Sequence, residues 1–146
     1  MRTLLKSFAI ILLTYITSTG PAFATVELGA VLGTPAGGNV VLGNWSRLLL
    51  RASGGYWGKS LHGGQGEIGY TFDNNGKLWQ YVAIAADTYC TKTIQWDGIG
   101  PVYTLNASGF LLQLGANIGK GWKNDTELKG VKLLVQVGYT FIWGQK

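Results

Sequence analysis

The run of residues 131–143 constrains the fold more than any other segment of the chain. Its odd positions are apolar or aromatic and end in Tyr139, Phe141 and Trp143, whereas its even positions include Lys132 and Gln136. A period of two is that of a β-strand, here with one apolar face and one mixed, polar face. Such a strand fits a membrane β-barrel or the half-buried sheet of a soluble sandwich, and one strand alone does not separate these two folds.

The N-terminal segment predicts the cellular compartment. Arg2 and Lys6 precede an apolar run over residues 8–16, and Ala22-Phe23-Ala24 gives the small-x-small pattern that signal peptidase cleaves. The apolar run is short for a membrane-spanning helix, which needs about 20 residues. We therefore predict that residues 1–24 are a removed secretory signal and that the mature chain begins near Thr25.

Charge and cysteine content narrow the function classes. The net charge of +5 falls to +3 without Arg2 and Lys6, and no Lys/Arg cluster with interleaved aromatics is present, which excludes nucleic acid as an expected partner. The remaining residues, 25–146, suit one domain. Cys90 is the only cysteine, so no internal disulfide is expected in this exported chain.

Alternation of apolar and polar residues recurs along the mature chain. Most of these segments are around ten residues long, the length that a tilted strand needs to cross a bilayer. A run at residues 78–86 is apolar on both parities, so its two faces cannot be distinguished. We predict eight strands, near residues 25–33, 38–45, 48–57, 62–72, 78–89, 99–107, 110–119 and 130–143.

The connections predict a topology. Residues 44–47, 73–77 and 106–109 form short, turn-rich links, whereas the links over 57–62, 88–98 and 120–130 are longer and residues 34–38 are a short exception. Alternating short and long links are typical of outer-membrane barrels, which have tight periplasmic turns and larger outer loops. Both termini are then expected on the periplasmic side.

Aromatic residues cluster at the predicted strand ends. On the predicted topology they form two belts, the arrangement expected where a barrel meets the two membrane interfaces. Aromatics that plug the ends of a soluble barrel are the alternative. Trp96 and Trp122 are placed at or beyond the long-loop ends. The predicted membrane-interface aromatics are Trp45, Tyr56, Trp57, Phe72, Trp79, Tyr89, Phe110, Phe141 and Trp143.

With these features, residues 25–143 resemble the small eight-stranded outer-membrane proteins, such as OmpX and the transmembrane domain of OmpA. The resemblance implies an all-β, closed, antiparallel up-and-down transmembrane β-barrel in the outer membrane of a Gram-negative bacterium. It also implies that Tyr139, Phe141 and Trp143 form an assembly signal for the barrel-assembly machinery. The chain departs from that signal because residues 144–146 follow Trp143. A monomer is expected.

A barrel of this kind would enclose the polar faces. An eight-stranded barrel is only wide enough for side chains to fill it, so passage of large solutes is not expected. Arg51 and Glu67 would face each other if their hairpin centres near Lys59, and we predict an ion pair between them; two separate solvated charges are the alternative. The predicted lumen residues are Glu27, Arg51, Ser53, Gln65, Glu67, Thr104, Asn106, Gln113, Asn117, Lys132 and Gln136.

The chain offers little for catalysis. His62 is the only histidine, and a triad with Ser60 and Glu67 rests on weak spacing, because triads are recognised by geometry. One histidine and one cysteine do not make a metal-ligand set. We predict no enzyme activity, no cofactor and no metal, with a lipid A-modifying barrel enzyme as one alternative.

A secreted, lipocalin-like barrel that binds a small apolar ligand is the other alternative. Gly43-Asn44-Trp45 matches the short Gly-x-Trp pattern of such proteins, but their apolar faces point inward. Only 13% of the residues are charged, few for the surface of a soluble cylinder. The preferred prediction is an outer-membrane protein with a structural or surface-exposed role in envelope integrity or adhesion.

The predicted partners are membrane components. The long-link side carries a group of lysines, which we expect either to meet lipopolysaccharide phosphates among the outer-membrane lipids or to keep the loops soluble. These lysines are Lys59, Lys92, Lys120, Lys123 and Lys129.

Overall fold

The computed structural model describes residues 26–35, 37–45, 47–56, 61–74, 77–124 and 126–143, without the side chains of residues 44, 45, 73 and 74. These residues form eight antiparallel strands in sequence order, and pairing of the first strand with the last closes the barrel. The strands are β1 (Val26–Gly33), β2 (Gly37–Trp45), β3 (Leu48–Tyr56), β4 (Leu61–Asn74), β5 (Leu78–Thr91), β6 (Ile94–Ala107), β7 (Phe110–Lys123) and β8 (Thr126–Trp143).

The predicted fold class, a closed antiparallel up-and-down β-barrel of eight strands, is confirmed. Each strand pairs with its neighbours in sequence, and β1 pairs with β8 from Val26↔Trp143 to Gly33↔Gln136. Each strand therefore has a hydrogen-bonded neighbour on both sides over the common length of the barrel, as closure requires. Among the residues that the structure describes, no helix is long and apolar enough to span a bilayer.

The two ends of the barrel differ. The terminal rim holds the start of β1, the end of β8 and the strand ends that lead from β2 to β3, from β4 to β5 and from β6 to β7. The distal rim holds the strand ends that lead from β1 to β2, from β3 to β4, from β5 to β6 and from β7 to β8. Strands β1 to β3 have 8 or 9 residues, whereas β4 to β7 have 14 each and β8 has 18, so the distal rim is high on one side.

The prediction of long links over residues 88–98 and 120–130 is wrong. Both regions belong to strands: β5 continues to Thr91 and β6 begins at Ile94, with pairing as far as Cys90↔Gln95, and β7 pairs with β8 as far as Lys123↔Thr126. Continued pairing satisfies the backbone N–H and C=O groups that a long loop would leave to water. The sequence does not predict these strand extensions because their outward-facing residues are largely polar. Apolar and polar residues therefore do not alternate there.

Side-chain parity separates an outward face from an inward one on every strand. On β7, Leu114 is 48% exposed while Gln113 is fully buried, and on β8 Val135 is 42% exposed while Gln136 is fully buried. Apolar Leu112 shares the outward parity of Leu114. The apolar faces of these strands therefore point away from the barrel axis, as the sequence predicts.

The turn between β6 and β7 shows how local sequence fixes the terminal rim. Ser108 and Gly109 are its two residues, and both have positive φ, 52° and 98°. A two-residue hairpin turn with positive φ at both positions matches the right-handed twist of its strands. A Cβ at Gly109 would also lie 2.5 Å from the Tyr139 ring, so glycine serves both conformation and packing.

Inward-facing glycines allow adjacent strands to bend tightly. At Gly138 on β8, an added Cβ would lie 2.3 Å from the carbonyl oxygen of Ala30 and 2.6 Å from Cα of Val31, both on β1. At Gly130, on the same strand but beyond the end of β1, an added Cβ would meet nothing within 4 Å. Closure between β8 and β1 therefore depends on glycine at position 138 and not at position 130.

This difference predicts opposite results for two identical substitutions. Gly138→Ala forces backbone atoms of β1 and β8 apart and is expected to lower the free energy of unfolding by about 1–3 kcal/mol. Gly130→Ala, the matched control, is expected to be neutral or stabilising by up to about 1 kcal/mol, because it only restricts the unfolded chain. Urea unfolding of the refolded proteins, followed by tryptophan fluorescence, measures both; equal effects would contradict the packing argument.

Candidate functional site

The centre of the lumen is a buried charge cluster around Arg51. Its Nη1 lies 2.5 Å from Oε1 of Glu67, and its Nε lies 3.3 Å from Oε2 of Glu27. Arg51 Nη2 donates a hydrogen bond of 3.1 Å to Oε1 of Gln136. The predicted ion pair between Arg51 and Glu67 is therefore present, and the register pairs these residues directly across β3 and β4.

Neutral side chains surround the second carboxylate. Gln65 Nε2 donates to Oε1 of Glu67 at 2.9 Å, and the hydroxyl of Tyr81 donates to its Oε2 at 2.7 Å. Gln113 Nε2 lies 3.0 Å from the same Oε2 and 2.8 Å from the hydroxyl oxygen of Thr104. Hydrogen bonds to an ionised group are stronger than neutral ones, so this shell stabilises the buried carboxylate.

A small residue makes room for the cluster. A Cβ at Gly43 would lie 3.0 Å from Oε2 of Glu27 and 3.2 Å from Cγ of Arg51. Gly43 pairs with both residues in the ladder, with Glu27 on β1 and with Arg51 on β3. The absent side chain on β2 thus leaves the space in which the guanidinium and the carboxylate meet.

The terminal half of the lumen is plugged mainly by apolar side chains. Leu49 and Leu111 are fully buried and Trp79 is 3% exposed. Asn106 Nδ2 and the hydroxyl oxygen of Thr140 form a 2.6 Å hydrogen bond at the same end. These side chains lie in the lumen between the charge cluster and the terminal rim.

A second polar cluster lies at the distal mouth. The Lys132 ammonium contacts the hydroxyl of Tyr89 and lies 4.5 Å from the centre of that ring and 4.2 Å from the ring of Trp96. Asn117 donates a hydrogen bond to Oδ1 of Asp87 beside it. An ammonium between two aromatic faces is stabilised by their quadrupoles, so these contacts hold the Lys132 side chain at the distal end of the lumen.

The link between β1 and β2 folds over the mouth. The carbonyl oxygen of Thr34 accepts hydrogen bonds from Gln136 Nε2 at 2.7 Å and from Asn39 Nδ2 at 3.3 Å. Pro35 is buried, and its Cβ lies 3.1 Å from the point where a Cβ on the inward-facing Gly63 would sit. The described residues of this link therefore act as a cap rather than as a free loop.

The structure places the predicted lumen residues on the inward face. All are buried except Lys132, which is half-buried at the distal mouth. The buried ones are Glu27, Arg51, Ser53, Gln65, Glu67, Thr104, Asn106, Gln113, Asn117 and Gln136.

Among the buried residues with polar groups that sequence reasoning missed are Tyr81 and Asp87. Both lie on β5, whose residues are apolar on both parities over most of its length. Asp87 is the one charged residue of that strand, and its parity is shared by Trp79 and Tyr81. This charge was the signal that identifies the inward face, because a buried carboxylate needs the partners that only the lumen provides.

The prediction of an interface position is wrong for two aromatic residues, Trp79 and Tyr89. Trp79 is inside the barrel, and Tyr89 faces inward on the same parity of β5, where it contacts Lys132. Trp96, predicted near a long loop, also faces the lumen and is only 2% exposed. The side chain of Trp45 and all of Trp57 lie outside the described residues. The predicted interface aromatics that the structure shows on the outward face are Tyr56, Phe72, Phe110, Phe141 and Trp143.

The geometry does not assemble the considered triad. Glu67 is buried in the lumen, whereas His62 is exposed on the outward parity of β4 beside Tyr56, with ring centres 5.9 Å apart. The barrel wall separates these two side chains, and Ser60 lies outside the described residues. Within the described ranges, no group of three or more histidine, cysteine or acidic residues is arranged to hold a metal.

Cys90 lies near the distal rim on the outward parity of β5 and is half-buried. Burial raises the pKa of its thiol, and the neighbouring Asp97 carboxylate raises that pKa further. The thiol therefore stays protonated at neutral pH, and a protonated thiol is a poor nucleophile.

Comparison with known proteins identifies no relative: no family model, no curated protein and no solved structure matches the chain. The site is therefore interpreted from its own geometry. That geometry is a cylinder with charged and amide side chains in its centre, apolar and aromatic closures at its ends, and an apolar exterior.

Removing the central cation is expected to destabilise the barrel strongly. Arg51→Met leaves the carboxylates of Glu27 and Glu67 buried without their cation, and the expected loss is about 3–5 kcal/mol of unfolding free energy. The triple variant Glu27→Gln/Arg51→Met/Glu67→Gln, which removes the stranded charges, is expected to recover much of this loss.

The matched control for Arg51 is an exposed ion pair. Lys129 Nζ lies 3.5 Å from Oε2 of Glu127, with exposed fractions of 72% and 47%. Lys129→Met is expected to change stability by less than about 1 kcal/mol, because solvent screens such pairs. Urea titration of the refolded proteins compares all variants, and equal losses for Arg51→Met and Lys129→Met would refute a central role for the buried cluster.

Proposed function

We propose that this protein is an integral outer-membrane β-barrel of a Gram-negative bacterium with a structural or surface-exposed role in the cell envelope. Residues 1–24 direct its export and are then removed. The barrel resembles the small eight-stranded outer-membrane proteins in architecture. Its role is to present the distal rim at the cell surface and to contribute to envelope integrity or adhesion, without transport of large solutes.

The single observation that carries the proposal is the inversion of the barrel faces. Charged and amide side chains are enclosed, and large apolar side chains lie on the outside, a combination that water does not favour because soluble proteins rarely expose large contiguous apolar patches. The outward side chains that are at least 37% exposed include Leu28, Leu32, Val40, Leu48, Ile68, Tyr70, Val82, Ile84, Ile99, Leu114, Ile118, Val131, Leu133, Val135 and Val137.

The exterior also has a polarity boundary. Ile99, Ile118 and Val131 are paired in one row across β6, β7 and β8, and the next outward row towards the distal rim pairs Lys120 with Asp97 and with Lys129. On β8 the apolar run from Val131 to Trp143 corresponds to about 30 Å along the axis at the usual rise and tilt of barrel strands. This height is close to that of a bilayer hydrocarbon core.

Aromatic side chains gather on the outward face near the terminal rim. The ring centres of Tyr139 and Phe141 are 5.1 Å apart, and those of Phe141 and Trp143 are 5.8 Å apart. Phe72 and Tyr103 form a further stacked pair with centres 6.3 Å apart. Rings of this kind favour a membrane interface, so this belt supports the terminal rim as one boundary of the membrane-embedded zone.

The filled lumen supports a role other than solute passage. Arg51, Gln113 and Gln136 are fully buried in the lumen and hydrogen-bonded to side chains of other strands, which favours a filled interior over a pore for solutes. The same arrangement weighs against a soluble lipocalin-like carrier, whose lumen would have to be apolar. The separation of His62 from Glu67 weighs against a lipid A-modifying triad enzyme.

Orientation and assembly follow from the terminal rim. The start of β1 and the end of β8 lie there, as the first and last strand ends do on the periplasmic side of outer-membrane barrels, whereas the hairpins of the distal rim extend beyond the apolar zone. We assign Tyr139, Phe141 and Trp143, at the end of β8, to recognition by the barrel-assembly machinery. Outer-membrane lipids, including lipopolysaccharide, then surround the apolar zone.

A charge placed on the apolar exterior distinguishes a membrane barrel from a soluble one. Leu114→Arg is expected to reduce the stability of the inserted barrel by about 2–4 kcal/mol, the cost of a cation near the bilayer midplane. Trp122→Arg, the control on the same strand and face but beyond the apolar zone, is expected to cost at most about 1 kcal/mol. In a soluble barrel both changes would be harmless.

The measurement is urea unfolding in lipid vesicles, together with fractionation and gel migration of unboiled, detergent-extracted protein. The wild-type chain is expected in the outer-membrane fraction and to migrate differently before and after boiling. Recovery of the folded chain from aqueous buffer without detergent would contradict the proposal.

The proposed orientation is testable through single cysteines. In a Cys90→Ser background, Lys92→Cys on the distal rim is expected to react with a membrane-impermeant maleimide in intact cells, because Lys92 is exposed in a turn. Ser108→Cys on the terminal rim is expected to react only after the outer membrane is permeabilised. The reverse labelling pattern would show that the barrel is inserted the other way round.

A further inference from the structure

We propose that the outward face of β7 and β8 holds one lipopolysaccharide molecule, with a lipid phosphate between Lys120 and Lys129 and an acyl chain in the groove beneath them. This inference rests on the proposed outer-membrane function and adds a defined lipid site to it. Two separate features of the exterior carry it: a pair of cations and an apolar groove, both reached from β7.

The cation pair is set by the strand register. Lys120 and Lys129 are directly opposite each other across β7 and β8, and both are exposed on the outward parity. Like charges at directly opposed positions destabilise a sheet unless a counter-ion lies between them. A phosphate oxygen pair accepts hydrogen bonds from two ammonium groups at once, so a phosphate converts this repulsion into charge-assisted contacts.

The depth of the pair matches a lipid headgroup. Ile118 and Val131 are paired in the adjacent outward row, 68% and 65% exposed, and they are the last apolar pair before the lysines. Lys120 also lies 5.9 Å from the centre of the Trp122 ring, which is 40% exposed on the same face. Cations and a ring just outside an apolar zone are positioned for the anionic interface.

Acidic neighbours do not neutralise the lysines. Glu127 pairs with Lys129 at 3.5 Å, but both side chains are largely in solvent, where such pairs are weak and readily exchanged. Asp97 is opposite Lys120 on β6, and no ion pair joins them among the described residues. A phosphate at the membrane surface therefore competes only with solvent-screened contacts.

The groove lies at mid-depth of the apolar zone. Its volume is about 780 Å³, and it is a shallow, open groove that runs across the outward face of β3 to β7. Pro101 and Ala116 are small members of its wall, whereas Tyr103 and Leu114 are larger on one side, and Ile99 and Ile118 flank it towards the distal rim. The groove forms because a row of short side chains lies between two rows of long ones.

Spacing along β7 joins the two features. Ala116 and Lys120 share the outward parity of that strand, so about 13 Å separates them at the usual rise per residue. A phosphorylated lipid held at Lys120 and Lys129 can therefore place the first half of an acyl chain in the groove. A free phosphate would use the lysines and gain nothing from the groove, and the distal rim faces the outer leaflet, where lipopolysaccharide is the phosphorylated lipid.

The test measures lipopolysaccharide binding by the full chain refolded in detergent. Lys120→Glu/Lys129→Glu is expected to weaken binding by about tenfold or more, given the contribution of each cation near an anionic surface. The control Lys92→Glu/Lys123→Glu makes the same charge change at exposed tip positions and is expected to alter binding less than about twofold. If the charge-reversed variant fails to fold, lipopolysaccharide binding is measured on Lys120→Gln/Lys129→Gln, which removes both charges without reversing them.

Three further probes separate the headgroup from the chain. Ala116→Phe, which fills the groove, is expected to weaken binding of lipopolysaccharide several-fold while both lysines remain. Dephosphorylated lipopolysaccharide is expected to bind the wild-type chain about tenfold more weakly than native lipopolysaccharide does. The lysine variants are expected to bind the two forms equally. Phosphatidylglycerol vesicles and inorganic phosphate are expected to compete poorly.

Several outcomes would overturn the site. Equal losses in the two double-glutamate variants, no effect of Ala116→Phe, or equal binding of phosphatidylglycerol would each do so. Boiled and unboiled samples of each variant are compared on gels, so a barrel that folds but does not distinguish these lipids refutes only the site. Failure of the wild-type chain to form a detergent-stable barrel refutes the proposed function itself.

Discussion

Enclosure of one arginine is the constraint on which the interior depends. Closing the sheet between β1 and β8 buries Arg51 completely, so its guanidinium has to be matched by side chains of other strands. Glu27 on β1, Glu67 on β4 and Gln136 on β8 provide those partners. A one-residue slip of any of these strands would turn a partner to the outside, so the cluster favours one register for the whole barrel.

The same closure explains the exterior. Once the polar parity of each strand is used inside, the apolar parity has no core left to enter and covers the outer surface from Val131 to Trp143 on β8. A hydrocarbon environment matches that surface without further change to the chain. The proposed membrane location and the buried ion cluster are thus two consequences of a single assignment of faces.

The distal rim departs from this simple scheme. Beyond the last apolar row the strands continue as paired hairpins, and their outward face changes to Lys120, Lys129 and other polar side chains. From Thr126 to Leu134, β8 pairs with β7 alone, because β1 ends opposite Gln136. Charged residues and a glycine along this edge are features that discourage uncontrolled pairing of exposed strands.

The sequence by itself determined the strand number, the inward parity of Arg51, Glu67 and Gln136, and the opposition of Arg51 to Glu67, because side-chain alternation and hairpin symmetry are local properties. Only the tertiary structure decided which face of β5 points inward, since that strand is apolar on both parities and Trp79 packs inside. It also decided that residues 88–98 and 120–130 are hairpins, because pairing with a neighbouring strand satisfies their backbone groups whatever their side chains.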